Sequence, residues 1–263
     1  MKKILALILT VVLGVAACMG LTACGGDSDL QRVKDNNKLV VGVTVYPPMD
    51  YIDEDGEWAG FDAELAKMFA EELGVNCQIV IITWAQKVAE LNSKQIDLVW
   101  NGMTASEELG AQIDFSVSYA KNAQVAVVKA DSTITSKDQI KTAKVAVEAG
   151  SAGADVAADE AMTTVNPVTA QVDAINEVKA GTSEVAIIDI TMAQSVVGKG
   201  EYAGLKIVEG VSYGDEIFAV GLRKGSDLKA KLDSFLKAKY ADGTISALAL
   251  EYGVGLNTEA LAG

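Results

Sequence analysis

The sequence predicts an α/β protein of two lobes, one lobe interrupting the other, and three observations carry that expectation. Short β-type runs alternate with amphipathic helical stretches along the body of the chain. A second series of the same alternation begins after Tyr119 and ends where residues 217–222 read as a strand returning to the first. Half of the 263 residues are apolar, and removing an N-terminal leader leaves about 240 of them, enough for one large core or two smaller ones.

The elements follow in order. Met1-Lys2-Lys3, an apolar run from Ile4 to about Ala17 and the small residues behind it have the layout of a secretory leader rather than a membrane span. Leu21-Thr22-Ala23-Cys24 resembles the bacterial lipobox, which makes residues 1–23 the expected signal peptide and Cys24 the expected lipidated first residue. Val15-Ala16-Ala17-Cys18 fits the pattern more loosely, and an ordinary cleaved leader with incidental cysteines is the alternative. Residues 24–36, opening on Gly25-Gly26-Asp27-Ser28-Asp29, read as a flexible tether.

Residues 39–43 are a β-type run, and Tyr46-Pro47-Pro48 turns the chain. Asp62 is the expected N-cap of a helix whose Leu65, Phe69 and Leu73 share one face and which Gly74 stops. Residues 75–82 are the next strand, a helix carrying Trp84, Val88 and Leu91 follows, and residues 96–100 form another strand. This alternation implies βαβ units and a largely parallel sheet under helices. In the second series, residues 124–129, 144–148 and 184–189 read as strands, and residues 155–162, 174–180 and 191–197 as helices. Residues 228–240 and 245–252 are two closing helices joined at Asp242-Gly243-Thr244.

Composition removes several classes of function. Acidic residues outnumber basic ones 36 to 22, a balance that repels phosphate backbones and argues against nucleic acid as a partner. The chain contains no histidine, which excludes Ser-His-Asp and Cys-His nucleophiles and histidine-ligated zinc. No G-x-x-x-x-G-K-[ST] loop occurs, and Gly253-Val254-Gly255 is too short for a dinucleotide fingerprint, so no metal or other cofactor is expected. Cys77 is the one cysteine in the mature body and reads as a buried structural thiol. Beyond the leader no apolar run is long enough to span a bilayer, leaving the lipid as the expected anchor.

Open parallel sheets bind ligands beyond the carboxyl ends of their strands. Three such ends carry suitable chemistry: Asn101-Gly102-Met103-Thr104, Gly150-Ser151-Ala152-Gly153 and Asp189. Gly102 permits close approach, and Thr104 offers a hydroxyl. The second end opens a helix, where free N–H groups favour a carboxylate. Asp189 can hold an ammonium group or cap the helix behind it. Tyr46 and Trp84 are candidates for the aromatic wall of a site or for the core.

The order and spacing of these pieces resemble the bacterial extracellular solute-binding proteins of family 3, which serve polar amino-acid ABC importers. The landmarks are Leu39-Val40-Val41-Gly42, Tyr46-Pro47-Pro48-Met49, Asp55-Gly56, Gly60-Phe61-Asp62, Leu91-Asn92-Ser93, Ile96-Asp97, Asn101-Gly102-Met103-Thr104, Phe115-Ser116, Val145-Ala146-Val147, Gly150-Ser151, Arg223-Lys224-Gly225 and Ala241-Asp242-Gly243-Thr244. The resemblance implies a type II periplasmic-binding-protein-like α/β fold with mixed sheets flanked by helices and two hinge crossings, near 119–124 and 212–216. It implies a discontinuous lobe 1 of residues 37–121 and 212–263, a lobe 2 of residues 122–211, and a monomer that closes on a free polar amino acid and delivers it to a membrane permease.

By position, Tyr46 and Trp84 would then line the pocket. Asn101, Gly102, Met103 and Thr104 would meet the ligand from lobe 1, and Glu148, Gly150, Ser151 and Ala152 from lobe 2. Asp189 would bind the α-ammonium. One departure stands out: the family usually places a carboxylate-gripping arginine five residues after the Thr104 position, and this chain has Leu109 there. The N–H groups at 150–153 and Thr104, together with a lysine such as Lys121, are the expected replacement; a ligand without an ordinary α-carboxylate is the alternative. Glu148 either favours a cationic or hydrogen-donating ligand side chain or is a solvated strand-end carboxylate. The resemblance implies a non-catalytic receptor; rival readings on the same fold are a dehydratase-like enzyme and a ligand sensor.

Overall fold

In a computed structural model that describes residues 28–263, the chain builds two five-stranded sheets and a small two-stranded ribbon. The expected leader and the expected lipidation at Cys24 lie outside the described residues. The chain begins with helix α1 (Asp29–Asp35), β1 (Lys38–Val43), the ribbon β2 (Tyr51–Ile52) and β3 (Trp58–Ala59), α2 (Phe61–Leu73) and β4 (Asn76–Ile81). A 3₁₀ turn at Trp84–Gln86 leads into α3 (Lys87–Asn92), followed by β5 (Leu98–Val99), α4 (Glu107–Gln112) and β6 (Asp114–Phe115). Then come β7 (Ala120–Lys129), α5 (Lys137–Thr142), β8 (Lys144–Glu148), α6 (Ala152–Asp159), β9 (Thr164–Val168), α7 (Gln171–Ala180), β10 (Val185–Asp189) and α8 (Ile190–Val196). The long strand β11 (Leu205–Phe218) and β12 (Gly221–Leu222) precede α9 (Leu228–Ala241), α10 (Thr244–Tyr252) and α11 (Thr258–Ala262).

The first sheet has the order β4-β1-β5-β12-β6, the second β11-β7-β10-β8-β9. In the first, β1 is parallel to β4 and β5 while β12 is antiparallel to β5 and β6. In the second, β8 is parallel to β9 and β10 while β7 is antiparallel to β10 and β11. Both sheets are therefore mixed. Alternation alone suggests largely parallel ones, because it does not show that β7, β11 and β12 are strands of passage between sheets. The chain leaves the first sheet after β6 and returns from β11 to β12; between them Ala120 pairs with Phe218 and Asn122 with Glu216. Register shifts interrupt this pairing after Ile207 and after Tyr213.

Local physics explains the elements that position the site. Leu39, Val41 and Val43 are fully buried in β1, as expected of a strand flanked by parallel neighbours and covered by helices. Phe61, Leu65 and Phe69 form the buried face of α2; Phe69 lies 5.2 Å from Phe235 of α9 and 6.4 Å from Trp100, ring centre to ring centre. Gly74 ends α2 in a left-handed conformation, its N–H on Ala70 O, as expected. The N-cap of that helix is Gly60 and not Asp62. Gly60 has φ +118°, and a Cβ there would lie 2.3 Å from Met49 O. Asp62 is instead buried, free for another task.

Three further expectations change. Residues 29–35, expected within a flexible tether, form α1, capped by Ser28, whose Oγ accepts from Gln31 N at 2.9 Å. The helix is fastened by charge. Arg223 Nε donates to both Asp29 oxygens at 2.9 and 3.0 Å, and its Nη1 donates to Leu91 O and Ile96 O. Asp97 pairs with both Arg223 and Arg32. Helix α6 begins at Ala152, three residues earlier than expected, because Ser151 caps it. Strand β9 is largely exposed and contains Pro167, a combination that hides a strand from pattern reading but suits an edge position.

Candidate functional site

The turns after β1, β4 and β5 and the ends of β8 and β10 surround one cleft of about 170 Å³. Its lining contains all eleven residues singled out from the sequence: Tyr46, Trp84, Asn101, Gly102, Met103, Thr104, Glu148, Gly150, Ser151, Ala152 and Asp189. Leu109 lines it as well, so an apolar side chain occupies that part of the wall. Lys87, Ser106, Glu108, Asp155 and Gln171 also line the cleft and were not expected. Gln171 opens α7 directly after β9, the strand that pattern reading misses; Lys87 sits one helical turn beyond Trp84.

On the wall built by the first sheet, the Asn101 side chain is fully occupied. Its Oδ1 accepts from Thr44 N and Thr44 Oγ1, both at 2.9 Å, and its Nδ2 donates to Thr44 O at 3.0 Å and Asp50 Oδ2 at 2.7 Å. All four of its hydrogen-bonding positions are used, so Asn101 ties β1 to β5 and shapes the turn rather than offering an amide to the cleft. Asp62 Oδ2 accepts from Gly102 N at 2.6 Å and from Tyr119 Oη at 2.7 Å. Burial pushes its carboxyl up to about 7, against the pull of those donors. Gly102 has φ +55°, and a Cβ there would come within 2.6 Å of Tyr46 Cε1.

On the opposite wall, Glu148 is 2% exposed and its Oε1 has no hydrogen-bond partner, so it is not a solvated strand-end carboxylate. Burial, and next the charge of Asp189, push it up to about 8, with Lys87 opposing. Asp189 occupies the N-cap position of α8, but its side chain makes no capping bond. Its Oδ1 accepts from Asn122 Nδ2 and Gln124 Nε2, both at 2.5 Å, and its Oδ2 from Gln171 Nε2. Burial, followed by the Glu216 charge, raises Asp189 to about 6. Asn122 and Gln124 also donate to Glu216 Oε2, which accepts from Thr104 Oγ1 at 3.0 Å. The Tyr46 hydroxyl is near enough to Asp189 for each to shift the other, yet it makes no hydrogen bond of acceptable geometry.

The cation in the cleft wall is Lys87, only 4% exposed. Its Nζ donates to Gly150 O at 2.9 Å and Trp84 O at 3.4 Å and lies 4.7 Å from the centre of the indole ring. Burial lowers its pKa, while Glu148 and Asp155 oppose that shift. Lys121, the lysine expected to help, is exposed and does not line the cleft. The two walls touch at Gly150, whose φ is +72° and where a Cβ would lie 3.1 Å from Ala85 Cα. Among the described residues, four carboxyl groups (Glu108, Glu148, Asp155 and Asp189) thus share the lining with one ammonium, a balance suited to a small ligand bearing an amino group.

Two mixed α/β sheets joined by a pair of crossing strands, with a polar cleft between them, define a solute-binding protein of the type II periplasmic class. The model of the bacterial extracellular solute-binding proteins, family 3, matches residues 39–255, and the chain belongs to that family. It is 30% identical to the arginine-binding extracellular protein ArtP of Bacillus subtilis over 92% of this chain and 96% of that protein. It is also 30% identical to the L-cystine-binding protein TcyJ of Escherichia coli, over 92% of both. A crystal structure of a mutant of ArgBP from T. maritima superposes with a TM-score of 0.81 at 30% identity, covering 86% of this chain and 99% of that one. The family and these relatives are binding proteins, not enzymes; a cyclohexadienyl dehydratase of Pseudomonas aeruginosa matches only 42% of this chain, at 28% identity.

Proposed function

We propose that this chain is the lipid-anchored, extracytoplasmic receptor of an amino-acid ABC importer, which closes its two lobes on one free polar amino acid and delivers it to the permease. The lobes are residues 37–121 with 212–263, and residues 122–211. The observation that carries the reading is Asp189. It is buried at the cleft and bonded to three neutral side-chain amides but, among the described residues, to no cation, an arrangement that a ligand ammonium completes. The first turn of α6, with Ser151 at its cap, offers N–H groups on the same wall for the carboxylate. Tyr46 and Trp84 supply the apolar sides, and Gly102, Met103 and Thr104 close the site from the first sheet.

Calorimetric titration with the twenty amino acids identifies the ligand. Asp189→Asn is expected to weaken its binding about 100-fold, the usual scale for removing one partner of a buried charge pair. Retention of wild-type affinity would overturn the assignment of Asp189. Deletion of the gene is expected to abolish uptake of the same labelled amino acid, and Cys24→Ala to release the protein from the membrane fraction.

A further inference from the structure

We propose that Lys87 receives the carboxylate of the bound amino acid, in place of a guanidinium at position 109. This rests on the amino-acid reading above and names one contact inside it. Lys87 is buried in the cleft wall, yet its partners are two main-chain carbonyls and the face of Trp84, and it makes no ion pair among the described residues. A buried ammonium whose direct partners are all neutral is compensated only at longer range, here by Glu148 and Asp155, and an anion in contact is what it lacks. Glu148 is in the mirror-image situation on the other wall, with one oxygen unpartnered. Lys87 and Glu148 face one small cleft without forming a salt bridge, which leaves a place between them for a ligand that brings an anion to the first and a hydrogen-bond donor to the second.

Position adds to charge. The carbonyl that holds Lys87 Nζ belongs to Gly150, the residue before the Ser151 cap of α6. The ammonium therefore stands beside the positive end of that helix, and a carboxylate placed there meets both. The alternatives are used elsewhere. Arg32 and Arg223 are held by Asp29 and Asp97, and Leu109 presents only carbon. A lysine gives a point charge and no planar fork, so it tolerates a carboxylate set at an angle that a bidentate arginine would not. Because the same Nζ bonds to Gly150 across the cleft, it holds the carboxylate and the two walls together.

The test uses the full chain, the tightest binder among the twenty amino acids, and that compound's α-carboxamide, in which a neutral amide replaces the carboxylate. The wild-type chain is expected to prefer the acid by about 30-fold or more, the scale of a hydrogen bond to a charged group. Lys87→Met is expected to lose that preference: losing the Gly150 contact weakens the acid and the amide alike, and losing the ammonium weakens the acid alone. Lys87→Arg is expected to keep it. A Lys87→Met chain that still prefers the acid, or a wild-type chain that binds the amide equally well, overturns the proposal. The wild-type ratio needs no variant, and Lys87→Gln gives the same readout if the methionine chain does not fold. Failure of the underlying reading looks different: no amino acid binds the wild-type chain at all.

Discussion

Behind the first sheet, Asp29, Arg32, Asp97 and Arg223 meet one another directly, every carboxylate touching a guanidinium. At the cleft, Asp189 and Glu148 are equally buried, but Asp189 touches only neutral amides and Glu148 keeps an oxygen without a partner. The first cluster is complete within the chain and joins α1 to the loops around β5. The second is incomplete within the chain. Burial alone does not tell the two clusters apart; a direct counter-charge among the described residues does.

The largest expected effect tests the closed cluster. Arg223→Met strands Asp29 and Asp97 and removes the bonds to Leu91 O and Ile96 O, so a loss of about 3–5 kcal/mol in denaturant unfolding is expected. A loss below about 1 kcal/mol would break the contrast, since that is the scale of a surface pair. Glu148→Gln, by comparison, replaces a carboxyl that burial keeps mostly protonated at pH 7 and that the chain does not pair. Its stability at pH 7 is expected to stay within about 1 kcal/mol of wild type.

The next effect is the response to pH. Glu148 rises from 4.5 to about 8 on folding, Asp62 from 3.8 to about 7 and Asp189 from 3.8 to about 6. An acid whose pKa is raised in the folded state binds its proton more tightly there than in the unfolded chain. Its contribution to stability is therefore present below the unfolded value and lost as pH climbs through the folded one. The melting temperature of the ligand-free chain is expected to fall between about pH 5 and pH 9. Glu148→Gln should flatten the upper part of that fall, above about pH 7. A flat profile in the wild-type chain would mean that these carboxyls are better compensated than their contacts indicate.

The smallest expected effect sharpens where the two walls meet. Gly150→Ala adds a methyl 3.1 Å from Ala85 Cα at a residue with φ +72°. The strain of about 1–2 kcal/mol acts against contact between the walls, so ligand affinity is expected to drop about tenfold in the same titration. Equal affinity would place the flexibility needed to absorb the methyl in the Trp84–Gln86 turn.

Much of this was legible in the chain because strong local patterns survive folding. Strands β1, β8 and β10 are apolar runs, α2 shows its face at helical spacing, and the strand ends that form the cleft carry glycine, hydroxyl and carboxylate residues together. What stayed hidden depends on distant partners. Asn101 looks like a ligand contact until Thr44 and Asp50, 57 and 51 residues away, are seen to take its whole amide. Asp62 has the composition of a cap, yet the backbone of Gly60 supplies the turn and the carboxylate goes inward to Gly102 and Tyr119. Lys87 reads as an ordinary helix residue because nothing local shows that Gly150, 63 residues on, holds its amine. Strand β11 mixes buried apolar residues with charged ones, and its bulges break the alternation that would show it as a strand.

The amides of Asn122 and Gln124 belong to β7, the strand that carries the chain from one sheet to the other, and each holds both Asp189 and Glu216. Any cation that takes a share of Asp189's negative charge also relaxes the grip of those amides and changes the balance with Glu216. A change in the charge of Asp189 is thereby felt at the joint between the two sheets. The same two amides couple a carboxylate of the cleft to the strand that links one sheet to the other.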